Sequence, residues 1–332
     1  MRPRVIYSCP FVPAEWIAAH GFSPLRIMPR APGRSDLLAL PGSGVCPYAR
    51  AFASQAVAAT GAAAIVVSTA CDQMRRAADI IRMRCDTPVF VFNVPHTWRT
   101  PTAHRIYSGE IERLGRFLVR LGGSAPASEA LRETVLDYDS ARRAIRDAAG
   151  RLPPRQWAEL LASFHAGERA QPIAEGAFEP RGVPLALVGG PMTADALGLY
   201  DLVEQAGGWI ALDATETGER TLPSPIDRRL LAADPIAALC DAYFGAIPDA
   251  FRRPNSELYG WIERRIDERG IRGIVYRRCV WCDNWRAESR RMRDWAARTW
   301  PGIGFLDLDA GDDGFEKARA LSRLQSFMEM LK

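Results

Sequence analysis

The chain has 332 residues, of which 48% are hydrophobic and 25% are charged, and its net charge at pH 7 is +4. This composition is ordinary for a globular protein, and the length suffices for two domains. The arginines are dispersed rather than gathered into the basic patch of a nucleic-acid-binding protein, and no apolar run approaches the ~20 residues of a membrane span. Because the sequence also begins directly in a strand, without a signal peptide, we expect a cytoplasmic protein with no nucleic-acid or membrane partner.

The first hundred residues alternate between strand and helix patterns. Such an alternation implies a parallel sheet that is wound by right-handed crossovers. The predicted strands are residues 5–8, 24–28, 63–67 and 87–95, and the predicted helices are residues 12–21, 47–60 and one that begins at 71.

Helix patterns alone occupy residues 102–164, and a second strand–helix alternation begins at residue 183. The second set of predicted strands is 183–189, 209–213, 273–276 and 303–308, and its helices include 255–269, 283–298 and 315–331. We therefore predict an α/β protein with two parallel-sheet domains. The predicted parts are an N-terminal α/β domain at 1–101, a helical connector at 102–180 and a C-terminal α/β domain at 181–332.

Three of the seven cysteines stand where a loop meets the start of a helix. Cys71 follows a buried strand, Cys46 ends a Gly/Pro-rich loop at 41–46, and Cys282 directly precedes the helix at Asp283. Ligands of parallel sheets gather outside the carboxyl ends of the strands, and a helix N-terminus favours a thiolate. Three converging thiolates in a histidine-poor chain indicate iron–sulfur or zinc binding.

The remaining cysteines support weaker interpretations. Cys279 forms a CxxC pair with Cys282, which is typical of a redox or zinc half-site, but Cys279 is equally well explained as a strand residue. Cys9, Cys85 and Cys240 are more typical of small buried side chains than of ligands. The four histidines show no metal-ligand spacing, and we interpret them as structural.

Cys71-Asp72 is followed by a pair of basic residues, Arg75-Arg76, and Cys46 precedes this motif in the chain. In these residues the sequence resembles the 2-hydroxyacyl-CoA dehydratase and benzoyl-CoA reductase family, which includes the double-cubane cluster proteins. The Cys71 motif is similar to the most specific motif of that family, and Cys46 stands where its first cluster cysteine would. Gly273, nine residues before Cys282, matches the spacing to the third cysteine. Further matches are Pro13-Ala14-Glu15 with Ala19, Gly21, Pro24 and Arg26, then Gly189-Gly190-Pro191, Gly207, Asp213, Gly218 and Arg220, and finally Cys282-Asp283-Asn284-Trp285 with Glu288.

The resemblance implies two flavodoxin-like domains that hold a [4Fe-4S] cluster through Cys46, Cys71 and Cys282, with a fourth iron site left for a small ligand or substrate. It implies single-electron reduction of a CoA thioester to a ketyl radical anion that expels a leaving group, or reduction of an aromatic acyl-CoA ring. It also implies an ATP-dependent iron–sulfur activator protein as the electron donor. The expected assembly is a homodimer or a heterodimer with a related subunit.

Three functional hypotheses stay open at this point. The first is an iron–sulfur dehydratase or reductase component acting on acyl-CoA, with Arg75 and Arg76 near the cluster, a phosphate or a partner. The second is a double-cubane [8Fe-9S] cluster reductase of small molecules, for which Cys279 and Cys9 leave room. The third is a non-catalytic partner subunit that binds a cluster or zinc. The sequence also leaves open whether Cys279 or Cys282 is the third ligand, or whether Cys279 is an extra ligand beside Cys282.

Overall fold

The structure is a computed structural model that describes residues 2–31, 44–168, 178–310 and 317–331. Residues 41–43 of the loop before Cys46, and residues 315–316 of the predicted last helix, lie outside the described residues. In the described ranges, every helix is too short or too polar to cross a lipid bilayer.

Two four-stranded, all-parallel sheets form the framework, which confirms the predicted α/β fold class. The first sheet contains β1 (Arg4–Tyr7), β2 (Ser23–Arg26), β3 (Ala62–Ser68) and β4 (Val89–Phe92). The second sheet contains β5 (Val183–Gly189), β6 (Gly208–Ala214), β7 (Gly273–Cys279) and β8 (Gly304–Ala310). The inner strands β3 and β5 are rich in alanine and branched aliphatic residues, as expected for strands that are covered on both faces.

Helices connect the strands, and most of their bounds agree with the sequence patterns to within a few residues. The sequence analysis did not predict the short helices between residues 228 and 245. The helices are α1 (Ala14–Ala19), α2 (Pro47–Ala58), α3 (Asp72–Arg82), α4 (Pro101–Arg120), α5 (Ser128–Ala148), α6 (Pro154–His165), α7 (Gly198–Gln205), α8 (Arg228–Ala233), α9 (Pro235–Cys240), α10 (Ser256–Glu268), α11 (Asp283–Thr299) and α12 (Lys317–Leu331).

The two sheets share one topology, although the sequence shows no repeat between them. The strand order is β2-β1-β3-β4 in the first sheet and β6-β5-β7-β8 in the second. In each sheet, therefore, the chain runs outward in opposite directions from the two central strands, β1 and β3 or β5 and β7. This is the flavodoxin-like switch point, where ligands bind outside the carboxyl ends of the strands.

The helical segment at 102–164 begins with α4, and this helix packs against the first sheet. The proline at the first position of α4 and the Thr100 side chain, which accepts a hydrogen bond from the Ala103 amide at 3.1 Å, fix the start of the helix. Tyr107, Ile111 and Leu118 recur at helical spacing and are fully buried in a cluster that includes residues of β1 and β4. The division of the chain at residues 101 and 180 stays a prediction.

A buried ion pair explains the glutamate near the start of the chain. Glu15 in α1 accepts hydrogen bonds from Arg142 in α5 at 2.8 Å and from the Tyr243 hydroxyl at 2.6 Å. Neither charged side chain is appreciably exposed. The charged bonds compensate for the cost of burying both groups, and they fasten the helical segment to the first domain.

Candidate functional site

A cavity of about 50 Å³ lies where the carboxyl ends of the two sheets meet. Residues that follow β1 and β3 form one side, and residues at the ends of β5 and β7 form the other. Both switch points therefore open into the same space. The lining consists of Ser8, Cys9, Phe11, Cys46, Tyr48, Ala49, Ser68, Ala70, Cys71, Gln73, Met74, Gly190, Pro191, Glu216, Asp249, Phe251, Cys279, Cys282, Asn284 and Trp285.

Five of the seven cysteines contribute to this lining, and none of them forms a disulfide. Cys46 and Cys71 come from the first sheet's side of the cavity, and Cys279 and Cys282 come from the second. The structure thus brings together the three cysteines that the sequence singled out. It adds Cys279 and Cys9, whose side chains are buried at the same cavity.

Cys71 stands immediately before α3, as the sequence pattern indicates. The start of this helix is expected to favour the thiolate. Burial has the larger effect, however, and raises the pKa of Cys71 to about 11, although the backbone amides of Met74 and Gln73 act in the opposite direction. The thiol is therefore protonated at neutral pH in the metal-free chain.

Cys46 and Cys279 behave as a pair. The Cys46 backbone amide donates to Oε1 of Gln73 at 2.9 Å, which fixes the Cys46 loop against α3. Hydrogen bonding to Cys279, together with burial, raises the pKa of the Cys46 thiol. The same hydrogen bond lowers the pKa of Cys279 to about 6, with help from the charge of Arg277. The two thiols therefore titrate as one coupled pair that shares a hydrogen bond.

The Cys279–Cys282 segment is a tight turn. The sequence predicts that β7 ends at Tyr276, but the strand runs on to Cys279. The Cys282 amide then donates to the Cys279 carbonyl at 3.2 Å, and Trp281 adopts φ 64°. Left-handed backbone is costly for a bulky residue, so the packing around the turn holds it in this shape. Burial raises the pKa of the Cys282 thiol.

Besides the hydrogen bond between the Cys46 and Cys279 thiols, two hydrogen bonds among the described residues join the two sides of the cavity. The Arg26 guanidinium on β2 donates to the backbone carbonyl of Glu216, which follows β6, at 2.8 Å. The Asn284 side chain at the start of α11 donates to the Ala70 carbonyl at 3.4 Å, one residue before Cys71. These bonds hold the thiols of the two sides in a fixed relation.

Arg220 supports the wall of the cavity from behind. It is fully buried, donates to Oδ2 of Asp249 at 2.7 Å and to the Ala214 carbonyl at 2.8 Å, and lies 5.0 Å from the ring centre of Trp285. A Cβ atom at Gly190 would lie only 2.9 Å from the Trp285 ring, which explains why glycine stands there. These contacts account for several second-domain residues that the sequence matches to the family pattern.

Glu216 and Asp249 are acidic groups of the lining that sequence reasoning missed. The Asp249 carboxylate accepts hydrogen bonds from the Arg220 guanidinium and from the Phe251 amide. Within the described part of the chain, no hydrogen bond reaches the Glu216 carboxylate. Burial, followed by the nearby charge of Asp249, raises the pKa of Glu216 to about 7. Neither residue lies in a recognisable motif, and only the approach of the two sheets makes them neighbours of the cysteines.

The family model described as 2-hydroxyglutaryl-CoA dehydratase, D-component, matches residues 9–331. The chain belongs to this family. A comparison with individually curated proteins found no match. The family match covers every cysteine at the cavity and every strand except β1, which ends before residue 9, and it confirms the resemblance seen in the sequence. The chain is therefore a component of the dehydratase type.

Other family-like residues lie away from the cavity. Arg75 and Arg76 are on the exposed side of α3, where Arg75 pairs with Asp72 at 3.3 Å. Glu288 is fully buried on α11 and accepts a hydrogen bond from the Tyr259 hydroxyl at 2.5 Å. His96 is not among the residues matched to the family; its Nδ1 atom lies 3.1 Å from the Phe251 carbonyl oxygen, and it is not part of the lining. Glu288 and His96 thus contact other groups of the protein, which indicates structural roles for both.

The donor set at the cavity fits an iron–sulfur cluster. In the described ranges, no three His, Cys, Asp or Glu side chains converge in the way that a single metal ion requires. The four thiols of Cys46, Cys71, Cys279 and Cys282 are distributed around a shared cavity. Cysteine thiolates are the ligands that hold iron–sulfur clusters, and the apolar part of the lining limits the access of water.

Proposed function

We propose that this protein is the iron–sulfur component of a 2-hydroxyacyl-CoA dehydratase or aryl-CoA reductase, in which a [4Fe-4S] cluster reduces a CoA thioester by single electrons. The observation that carries the proposal is the meeting of cysteines from two flavodoxin-like sheets at one cavity. The substrate would be an acyl-CoA, and the electron donor an ATP-dependent iron–sulfur activator protein. The assembly would be a dimer with a copy of itself or with a related subunit.

Cys46, Cys71 and Cys282 are the proposed ligands. Each stands directly before a helix, so its backbone is fixed by the first turn of that helix. When bound, the cluster would supply low-potential single electrons. Since the thiols of Cys46, Cys71 and Cys282 have raised pKa values in the metal-free chain, cluster binding would release protons and would be favoured as the pH rises.

The other residues of the cavity have supporting roles in this proposal. Phe11, Met74, Phe251 and Trp285 form an apolar wall that keeps water from reactive species. Glu216 can hold or release a proton near neutral pH because its pKa is raised to about 7. In a dehydration the departing hydroxyl group needs a proton, and Glu216 is the group of the lining best suited to supply it.

The test is the iron and acid-labile sulfide content, with electron paramagnetic resonance, of protein purified without oxygen. Wild-type protein should contain iron and sulfide in equal amounts, and Cys71→Ala should lose them. Cys85→Ala is the matched control, because Cys85 lies beyond the end of α3 and outside the lining. Zinc, or no metal after anaerobic reconstitution, would reject the proposal and leave a non-catalytic structural role for the cysteines.

A double-cubane [8Fe-9S] cluster reductase is the second candidate, and the burial of Cys9 at the same cavity favours it. Iron and sulfide near eight and nine per site would support this candidate, whereas four of each would support the first. A bound or turned-over 2-hydroxyacyl-CoA would then separate a dehydratase from an aryl-CoA reductase.

A further inference from the structure

We propose that the buried guanidinium of Arg252 is a cation that stabilises negative charge in the cavity, and that it thereby raises the reduction potential of the group bound there. The inference rests on the proposed function and extends it to a residue that does not itself line the cavity. Neither the sequence patterns nor the resemblance to the family singles out Arg252.

The burial of an unpaired charge provides the first argument. The Arg252 side chain is 1% exposed, and within the described residues none of its three nitrogen atoms has a hydrogen-bond partner. Burial lowers its pKa to about 10, so the guanidinium is still charged at neutral pH. Arg142 is equally buried, but it pairs with Glu15 at 2.8 Å. Arg220 likewise pairs with Asp249 at 2.7 Å, so the charge of this carboxylate is already balanced.

Aromatic rings surround the Arg252 guanidinium in place of a carboxylate. Its central carbon lies 4.6 Å from the ring centres of Phe11, Trp98 and Phe244. The ring centre of Phe251 is 5.8 Å away. The negative faces of such rings stabilise a cation, but the rings have no net charge. They therefore hold the guanidinium in the interior without neutralising it, and its field extends beyond them.

Two of these rings connect Arg252 to the cavity. Phe11 and Phe251 are part of the lining, and they contact each other edge to face with their ring centres 5.3 Å apart. Since Arg252 contacts both rings and is not a lining residue, it lies behind this part of the wall. Charges on the two sides of an apolar wall interact more strongly than they do in water. A negative charge in the cavity is therefore stabilised by Arg252 without direct contact.

The backbone around Arg252 is fixed by the segment that follows β4. The Arg253 amide donates to the His96 carbonyl at 2.9 Å. The Trp98 indole donates from Nε1 to the Pro254 carbonyl, also at 2.9 Å. These bonds hold the charge of Arg252 at one position. A charge that is fixed in advance needs no reorganisation when negative charge develops near it.

The consequence is a shift of a one-electron equilibrium. Reduction of the bound cluster adds one electron, which the proposed activator protein supplies, and breaks no bond. Arg252 stabilises the added negative charge. At an effective dielectric constant of about 20, two unit charges on the order of 10 Å apart change such an equilibrium by about tenfold. A tenfold change corresponds to about 59 mV for one electron.

The experiment compares reduction potentials of the cluster in the full chain, by anaerobic redox titration with electron paramagnetic resonance. Arg252→Met should lower the potential by about 59 mV, the equivalent of a tenfold change in the equilibrium. Arg252→Lys keeps the charge and should lower the potential much less. Arg113→Met is the matched control, because Arg113 lies 4.1 Å from the ring centre of Phe90 and neither residue lines the cavity. It should keep the wild-type potential.

Denaturant unfolding of the metal-free protein separates the charge of Arg252 from its packing. Arg252→Met should be at least as stable as the wild type, because it removes a buried charge that has no partner among the described residues. An Arg252→Met chain that fails to fold would mean that the guanidinium serves to hold the rings together, and it would overturn the inference.

The potentials provide the other decisive outcomes. A wild-type potential in Arg252→Met, or equal shifts in Arg252→Met and Arg252→Lys, would overturn the inference. If a folded Arg252→Met binds no cluster, Arg252→Lys decides: retention of the cluster supports a role for the charge, and its loss contradicts one. A wild-type chain that holds no iron or sulfide would reject the proposed function before any potential is measured, so the two failures are distinguishable.

Discussion

Arg26 and Glu216 join the two halves of the protein at the cavity. Nη2 of Arg26 donates to the backbone carbonyl of Glu216 at 2.8 Å, although 190 positions separate the two residues in the chain. The same guanidinium donates from Nε to the Ser8 carbonyl at 3.0 Å, and its Nη1 lies 3.1 Å from Nε2 of His165. One arginine on β2 therefore satisfies groups of the first sheet, the helical segment and the second domain.

We predict that Arg26→Ala lowers the free energy of unfolding by about 3 kcal/mol, because it leaves buried carbonyl groups without a donor. The measurement is denaturant unfolding of the metal-free protein. Arg75→Ala is the control, since that arginine is half exposed and its ion pair in the described part of the chain is with the surface residue Asp72. Its effect should stay within about 1 kcal/mol. Equal effects of the two substitutions would contradict a structural role for Arg26.

Removal of the Arg220 charge should lower the free energy of unfolding more than Arg26→Ala does. Arg220→Met leaves Asp249 buried without its partner, and such a loss costs about 3–5 kcal/mol. The double variant Arg220→Met with Asp249→Asn should recover part of this loss, because it also removes the unpaired charge. A thermodynamic cycle from denaturant unfolding measures the coupling. Additive single effects would show that the ion pair does not stabilise the wall of the cavity.

Glu216 should make stability depend on pH. Its pKa is raised from 4.5 to about 7, so between these values the folded state binds more protons than the unfolded state. The contribution of Glu216 to the free energy of unfolding is therefore greatest below pH 4.5, and it falls as the pH rises to 7. The unfolding free energy of wild-type protein relative to Glu216→Gln should decrease by about 2–3 kcal/mol across this range. A difference that is independent of pH would contradict the raised pKa.

The close approach of β5 and β7 can be tested at Gly189. A Cβ atom at this position would lie 1.9 Å from the Arg277 carbonyl oxygen, which belongs to the backbone and cannot move aside cheaply. We expect Gly189→Ala to cost more than about 3 kcal/mol. Gly109 within α4 is the matched control, because among the described residues no atom outside its own helical backbone and its chain neighbours lies within 4 Å of an added Cβ. Gly109→Ala should stabilise the protein by up to about 1 kcal/mol, as alanine favours helix. A well-tolerated Gly189→Ala would contradict the close contact between the two strands.

The local patterns of the sequence predict most of the secondary structure and the cysteine-containing helix starts. Strand and helix signals depend on neighbouring residues, so the run before Cys71 and the proline after Cys46 indicate the elements correctly. The repeated strand–helix alternation likewise predicts the parallel sheets, because parallel strands need crossover connections. The shared strand order of the two sheets, however, has no visible counterpart in the sequence.

The tertiary structure decides what surrounds the thiols. Glu216 and Asp249 enter the lining only because the two switch points face each other, and burial rather than the helix N-terminus sets the pKa of Cys71. Cys279 ends β7 in the second sheet and lies beside Cys46 from the first sheet's side of the cavity, a contact between residues that are far apart in the chain. By itself the sequence determined which elements form and which cysteines stand at their ends, because those signals are local. Burial, charge balance and the meeting of the two sheets depend on contacts between distant residues, and only the folded chain has them.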